Sequence, residues 1–445
     1  METYNTDDII FALATGWNQS ALAIIRISGK GAIKALSSCF SRPKSLLECK
    51  NATLLHGYII GENNHKIDEV VLSVNREGHG YTKEEAIEIT SHGSLAVITA
   101  IMQELTKHGM RQAKGGEFTL RAFLNGAMDL TQAEAVHELV TSQSQMERGL
   151  ALGRLEGALY KRIEEMKQNL LQAMAVVEVQ LDYAEDEVED FDFPRDIIEE
   201  TKKSIEALSN TYETGRLYGQ GVKIVLAGST NAGKSSLFNL LLKQQRAIVS
   251  DIKGTTRDYI EAQTTIRGIP VRLYDTAGLR VSSDVIESEG IKRTKELLDV
   301  CDVIIYLVDG VDEDTIIDRS IVDNPKTILA YTKRDIKHRK EAISISTITG
   351  EGLETLFDAI INKTASGIQI SDDSTLVIES SRQHQLLEEA KEALENILRI
   401  ERVDVGLDMI ALELNTAITA LGGLTGEITS DDILEKIFGG FCVGK

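Results

Sequence analysis

Cysteine is scarce: in 445 residues there are four, Cys39, Cys49, Cys301 and Cys442, with no C-x-x-C pair and no cysteine–histidine spacing of the zinc-binding kind. This excludes a disulfide scaffold and makes a reduced, cytoplasmic compartment the simpler expectation. Proline is scarce too, at 4 residues, which excludes collagen-like and mucin-like chains, while 42% hydrophobic and 26% charged residues exclude wholesale disorder. No 18-residue apolar run occurs, and the opening METYNTDDIIFALATGW has neither a basic n-region nor an Arg/Ser-rich amphipathic pattern. Membrane spanning, secretion and presequence-driven import are therefore not expected. Positive charge is in deficit, 48 basic against 69 acidic residues for a net −21. General electrostatic capture of nucleic acid or anionic membrane is excluded, and an RNA partner would need a local basic surface, a folded shape or a second protein.

What is present is a chain long enough, at ~150 residues per domain, for about three domains. Up to about residue 120, β-type runs at Ala21–Ile27, Leu54–Ile60, Glu69–Val74 and Glu85–Ile89 alternate with helical patterns at Gly31–Phe40 and Ser94–His108, predicting a small α+β domain. From Leu130 to Tyr183 turn signals nearly vanish. There Leu152, Leu155, Leu159, Ile163, Met166, Leu170, Met174, Val177 and Leu181 recur every three or four residues, which predicts one long helix with an apolar face. The acidic run Ala184–Asp192 reads as a solvated loop or hinge, lacking calcium-loop spacing and its glycine. Between Gly221 and about Gly367, β-branched strands alternate with helical patterns, the signature of a parallel α/β sheet. After Asp373 the pattern is helical again. The fold class is thus multidomain: an α+β N-terminal domain (1–120), a discontinuous α-helical bundle domain (121–215 and 371–445) and an inserted α/β domain (216–370), which the motifs that follow read as a P-loop GTPase domain.

The strongest motif is Gly228-Ser-Thr-Asn-Ala-Gly233-Lys234-Ser235, after the apolar run Val222–Ala227 and before the helical stretch beginning at Ser236. Its Asn231, Ala232 and Gly233 amides can curl around phosphate oxygens at a helix N-terminus, with Lys234 neutralising the β/γ-phosphates and the Ser235 hydroxyl binding Mg²⁺. Downstream, Asp275-Thr276-Ala277-Gly278 ends an apolar strand, where the carboxylate can hold Mg²⁺ through water and the Gly278 amide can meet the γ-phosphate. In the polar loop Gly254-Thr255-Thr256-Arg257-Asp258, Thr256 can reach Mg²⁺ only while the γ-phosphate is present, an order–disorder switch. Thr332-Lys333-Arg334-Asp335 is the base reader: the Asp335 carboxylate can accept from N1–H and N2–H₂ of guanine, a donor pair that adenine lacks. Thr332 stands where asparagine is usual, and Ser346-Thr347-Ile348 where S-A-K is usual. Leu279 follows Gly278, so the water-aligning glutamine of Ras-like enzymes is missing, and Asp284, Glu287 and Glu289 are the acidic candidates for its work. The two switch motifs and TKRD speak against a P-loop kinase or ATPase.

Further stretches carry a family resemblance: IIRISG from Ile24, YTKEEAIEITSHG from Tyr81, RQAKGGEFTLRAFLNGAMDLTQ from Arg111, GTTRD beside NAGKSS, and the terminal Phe441-Cys-Val-Gly-Lys445. From Ile24 to Lys445 the chain resembles the MnmE (TrmE) family of tRNA-modifying GTPases. The resemblance implies a folate-binding, dimerising N-terminal domain, a homodimer, and a GidA/MnmG-type FAD/NADH-dependent partner in a heterotetramer or larger complex. Together they would install an aminomethyl or carboxymethylaminomethyl group on C5 of the wobble uridine (U34) of certain tRNAs. The one-carbon unit would come from a tetrahydrofolate derivative (5,10-methylene or 5-formyl form).

The resemblance further implies GTP hydrolysis activated by K⁺, with ligands at Asn231, Ser250, Ile252 and Thr255, in a nucleotide-binding loop that also takes in Asp251, Lys253 and Gly254. It places the water-orienting glutamate at Glu287. Folate positions map to Arg26, Glu88 and Lys445, with Cys442 near the folate as a candidate for chemistry. Departures cluster in the N-terminal domain: Ala127 replaces a common lysine, Gly16-Trp-Asn-Gln-Ser-Ala-Leu-Ala23 replaces a glycine-rich loop, and Gly115-Gly116-Glu117-Phe118 replaces P-G-E-F. The alternative reading is a regulatory or assembly GTPase that has lost the folate chemistry.

Overall fold

The structure, a computed structural model, describes residues 6–142, 144–182, 193–219, 221–229, 231–244, 260–275, 297–312, 317–339, 342–364, 376–400 and 406–444. It divides into two compact units, Met1–His137 with Arg154–Gln168 and Ile418–Lys445, and Glu138–Gly153 with Asn169–Ala417.

The first unit holds the strands β1 (Ile10–Leu13), β2 (Leu22–Ser28), β3 (Thr53–Ile60), β4 (Lys66–Asn75), β5 (Ala86–His92) and β6 (Arg111–Gln112), in spatial order β3-β4-β5-β2-β1-β6. Neighbours are antiparallel except β1 and β6, which are parallel. The period of two fixes the faces: Ile25 and Ile27 of β2 and Ile87 and Ile89 of β5 are fully buried against Ile98, Ile101 and Leu105 of the helix Leu95–Lys107. Arg26 and Glu88 point to the opposite face and are register partners. The four runs expected to be strands are β2 to β5. β1 escapes sequence reading because its four residues are all buried, leaving no alternation to detect.

The expected single long helix is instead three helices, Leu130–Thr141, Gln145–Leu155 and Ala158–Asp182. Gly157, at φ +84, separates the last two in a conformation that glycine takes without a Cβ clash. Leu152 is consequently 45% exposed on the preceding helix, whereas Leu159, Ile163, Met166, Leu170 and Val177 keep the buried stripe. The acidic run 184–192 lies outside the described residues.

The second unit contains β7 (Val222–Gly228), β8 (Ile260–Ile266), β9 (Ile269–Asp275), β10 (Val303–Asp309), β11 (Thr327–Thr332) and β12 (Ile343–Ser344), ordered β12-β11-β10-β7-β9-β8. All pairs are parallel except the β8–β9 hairpin. One face packs Ile224, Leu226, Ile305 and Leu307 against Leu237 and Leu241 of the helix Lys234–Gln244 and Leu356 and Ile360 of the helix Leu353–Thr364. The other face buries Val225, Ile304 and Tyr306. Burial on both faces explains why these strands read as unbroken apolar runs. β7 has β9 on one side and β10 on the other, so the chain reverses direction across the sheet there and leaves a crevice at the strand ends for a ligand.

The helix Leu407–Thr425 is the one described helix long and apolar enough to cross a membrane by length and composition. Its buried positions Ile410, Leu414, Ala417, Leu421 and Leu424 recur every three or four residues, the pattern of a core helix.

Candidate functional site

In the second unit, β7 delivers the chain into the glycine loop. Gly228 has φ +134, and a Cβ there would lie 2.1 Å from the Leu307 carbonyl oxygen, so this position is reserved for glycine. Asn231 (φ 61) and Gly233 (φ +87) continue the positive-φ curl that turns backbone amides inward, and Ala232 is fully buried beneath it. Lys234 Nζ donates to the Gly228 and Ser229 carbonyls at 2.9 and 2.7 Å, holding its charge across the loop mouth. Ser235 Oγ donates to Asp275 Oδ2 at 3.0 Å, so the two residues assigned to Mg²⁺ meet although 40 positions apart. A hydroxyl and a carboxylate are the hard oxygen donors this ion prefers. Ser236 is exposed on the helix that follows.

The residues expected to read the base, Asp335 and Ser346, meet beyond the ends of β11 and β12. Ser346 Oγ donates to Asp335 Oδ1 at 2.6 Å and accepts from the Ile348 and Thr349 amides at 3.3 and 3.2 Å, so the carboxylate is aimed by a buried hydroxyl. Thr347 is half-buried and Ile348 is 83% exposed. Thr332 Oγ1 donates to the Val308 carbonyl at 3.3 Å, and its methyl lies where a Cβ on Gly233 would meet it at 3.4 Å. The threonine thus ties β11 to β10 behind the phosphate loop. Lys333 Nζ pairs with Asp309, a residue the motif reading missed; its signal was an aspartate ending the apolar strand β10. Desolvation pulls the Asp309 carboxyl up, but hydrogen bonds from Lys333 and the Val311 amide outweigh it and hold the group below the usual carboxylate value.

Ser250, Asp251, Ile252, Lys253, Gly254, Thr255, Thr256, Thr276, Ala277, Gly278, Glu287 and Lys445 lie outside the described residues.

In the first unit, Arg26 Nε and Nη2 donate to Glu88 Oε1 at 3.0 and 2.8 Å, and Nη1 donates to the Gly444 carbonyl at 3.0 Å. The C-terminal tail therefore reaches Arg26, the residue that also holds Glu88. Tyr81 and Phe118, not singled out from sequence, place their rings 5.6 and 5.8 Å from the Arg26 guanidinium. The tail is seated by a Gly115–Val443 bridge and by close approach: a Cβ on Gly116 (φ +69) would fall 2.5 Å from the Phe438 carbonyl oxygen. Cys442 is exposed and carries a free thiol. A cation, a carboxylate and two rings in one place suit a heteroaromatic ligand with paired N–H donors.

Beneath this site the Arg111–Gln132 stretch supplies a buried ionic lock. Arg121 and Glu117 are each 1% exposed; Arg121 donates to the Asp8 carbonyl at 2.7 Å and to Glu117 Oε1 at 3.1 Å. Arg111 spans Asp8 Oδ2 at 2.7 Å and Glu117 Oε1 at 2.6 Å. Burial alone would raise both carboxyls; hydrogen bonds from Arg111, with Arg121 at Asp8 and the Lys114 amide at Glu117, outweigh it and hold both low.

A phosphate loop, a Ser–Asp pair of hard oxygen donors and a carboxylate aimed by a buried hydroxyl, at the strand ends of a mostly parallel sheet, are the arrangement of a P-loop GTPase. The family model for the MnmE helical domain matches residues 130–442, and that for the GTP-binding protein TrmE N-terminus matches residues 9–127. The chain is similar to a tRNA modification GTPase MnmE from Treponema denticola, 40% identical over 99% of each chain. Another from Borrelia recurrentis is 39% identical over 99% of each. Among solved structures, the G domain of the T. maritima FeoB iron transporter overlaps 32% of this chain and 98% of that one, at 30% identity and a TM-score of 0.26. The chain belongs to the MnmE (TrmE) family of tRNA modification GTPases, and is a GTP hydrolase.

Proposed function

We propose that this protein is a K⁺-activated, cytoplasmic GTPase that acts as a homodimer with a GidA/MnmG-type FAD/NADH-dependent flavoprotein. Together they modify C5 of U34 in certain tRNAs to the aminomethyl or carboxymethylaminomethyl form. A bound tetrahydrofolate derivative supplies the one-carbon unit, and bound Mg²⁺ and K⁺ supply positive charge to the phosphates. The observation that carries the reading is the convergence of Arg26, Glu88 and the Gly444 carbonyl within one unit of a chain whose other unit carries the phosphate-loop lysine on the Gly228 and Ser229 carbonyls. Under this reading Arg26 and Glu88 hold the folate with Lys445, and the exposed Cys442 is substrate-adjacent. Lys234 exchanges the Gly228 and Ser229 carbonyls for β/γ-phosphate oxygens. Asp335 selects guanine, and Ser235 and Thr256 hold Mg²⁺. Asn231, Ser250, Ile252 and Thr255 hold K⁺, and Glu287 orients the attacking water. The functional domains are then 1–120, 121–215 with 371–445, and 216–370.

Reconstitution tests it: purified protein, flavoprotein partner, NADH, GTP, K⁺, tetrahydrofolate derivative and unmodified tRNA yield a C5-substituted uridine by mass analysis. No mass gain in the complete mixture overturns the reading. One residue favours the second reading, an assembly GTPase without folate chemistry: Ala127, whose amide closes the preceding helix on the Ala122 carbonyl at 2.8 Å, brings no cation to the site.

A further inference from the structure

In the second unit the helices Arg195–Ser209 and Ser381–Ile400 pack side by side. They run antiparallel, because Ser209 bonds Glu388 while Lys202 bonds Glu395. At the end where the first helix starts and the second stops they enclose a groove of about 450 Å³ lined by Arg195, Glu199, Lys202, Lys203, Glu395 and Arg399. Four cations face two carboxylates. Both carboxylates are already paired, Glu199 with Arg195 at 2.9 Å and Glu395 with Lys202 at 3.3 Å. Lys203 and Arg399 are exposed and form no ion pair within 4.0 Å among the described residues. Arg195, Glu199, Lys202 and Lys203 fall on one helix face by their three- and four-residue spacing. The helix opens at Pro194 with no side-chain cap, and Arg195 stands in its first turn, where the macrodipole disfavours a cation. An anion in the groove would meet a helix start and four cations at once, which gives that placement a purpose.

In a chain of net charge −21, any RNA grip must be local. We propose that this groove binds the phosphodiester backbone of the tRNA, a proposal that rests on the tRNA reading above. Lys203 and Arg399 each neutralise a phosphate, while Arg195 and Lys202 share theirs with the carboxylates.

The experiment measures equilibrium binding of tRNA to the full-length protein and to the Lys203→Gln/Arg399→Gln double variant over a range of KCl concentrations. The double variant is expected to bind roughly tenfold more weakly at low salt. Its log–log salt slope should be shallower by about 2, one for each phosphate that is no longer neutralised. GTP hydrolysis stays unchanged, which shows that the variant is folded, and Arg399→Lys retains wild-type binding. A double variant with wild-type affinity and slope overturns the groove and leaves the tRNA reading standing. Wild-type protein that binds no tRNA at low salt overturns both. Direct titration with inorganic phosphate at matched ionic strength should detect no tight site that the double variant loses; such a site, with tRNA affinity unchanged in the variant, would identify a free-anion site and overturn the RNA assignment.

Discussion

Replacing Arg121 by methionine tests whether the buried ionic lock holds the N-terminal unit together. Methionine keeps much of the volume but withdraws the donors that reach the Asp8 carbonyl and Glu117, leaving Glu117, 1% exposed, with Arg111 as its remaining charge partner. Removing one member of a buried ion network costs about 3–5 kcal/mol, because the remaining charge has lost its compensation. At roughly 2 kcal/mol per molar urea for a unit of this size, the midpoint falls by about 1.5–2.5 M. Amide hydrogen exchange in the buried strands β2 and β5 follows urea unfolding of this unit alone. Arg162→Ala, which removes a surface pair with Glu165 in the same unit, serves as control and moves the midpoint by less than about 0.5 M. A shift for Arg121→Met no larger than the control's would refute the reasoning. The lock also has a pH signature: Asp8 and Glu117 titrate below their ordinary 3.8 and 4.5. The stability they contribute is therefore complete above those values and is lost as pH falls through the depressed ones. In Arg121→Met the loss begins at higher pH.

Asp335→Asn lowers GTP affinity roughly 10- to 100-fold, the worth of a hydrogen-bonded charge, and improves binding of xanthosine triphosphate; competition binding reads both, and unchanged GTP affinity would contradict the base-reading role. Replacing Na⁺ by K⁺ raises GTP turnover, and equal rates in the two salts would remove the K⁺ assignment of Asn231. Glu287→Ala keeps nucleotide binding but loses most turnover; undiminished hydrolysis would move the role to Asp284 or Glu289. Gly116→Ala, at φ +69 with its new Cβ 2.5 Å from the Phe438 carbonyl oxygen, displaces the C-terminal tail and speeds its digestion by carboxypeptidase, whereas an unchanged digestion rate would show the tail is seated otherwise.

The nucleotide site was legible because each of its parts is a short contiguous motif, and a strand-end position is enough to place it. Even there the sequence could not show that Ser346 aims Asp335, since their 11-residue separation closes only when β11 and β12 pair. The N-terminal site was legible only through resemblance. Arg26 and Glu88 are 62 positions apart and meet through antiparallel register, and Arg26 and Gly444 are 418 apart. No local pattern encodes such distances. The stripe after Leu130 failed in another way: apolar periodicity runs on through Gly157, where only the backbone angle marks the break. Arg111 and Arg121 enter the sequence reading only as part of a resembling stretch, because their partner Asp8 lies more than 100 positions away in the chain.

The central claim, a GTPase that modifies the wobble uridine, is tested most directly by mass analysis of U34 nucleosides in tRNA from a strain lacking this gene. U34 in that strain should lack its C5 aminomethyl or carboxymethylaminomethyl group, which the wild-type gene restores and Arg26→Ala does not. Fully modified U34 in the deletion strain would contradict it.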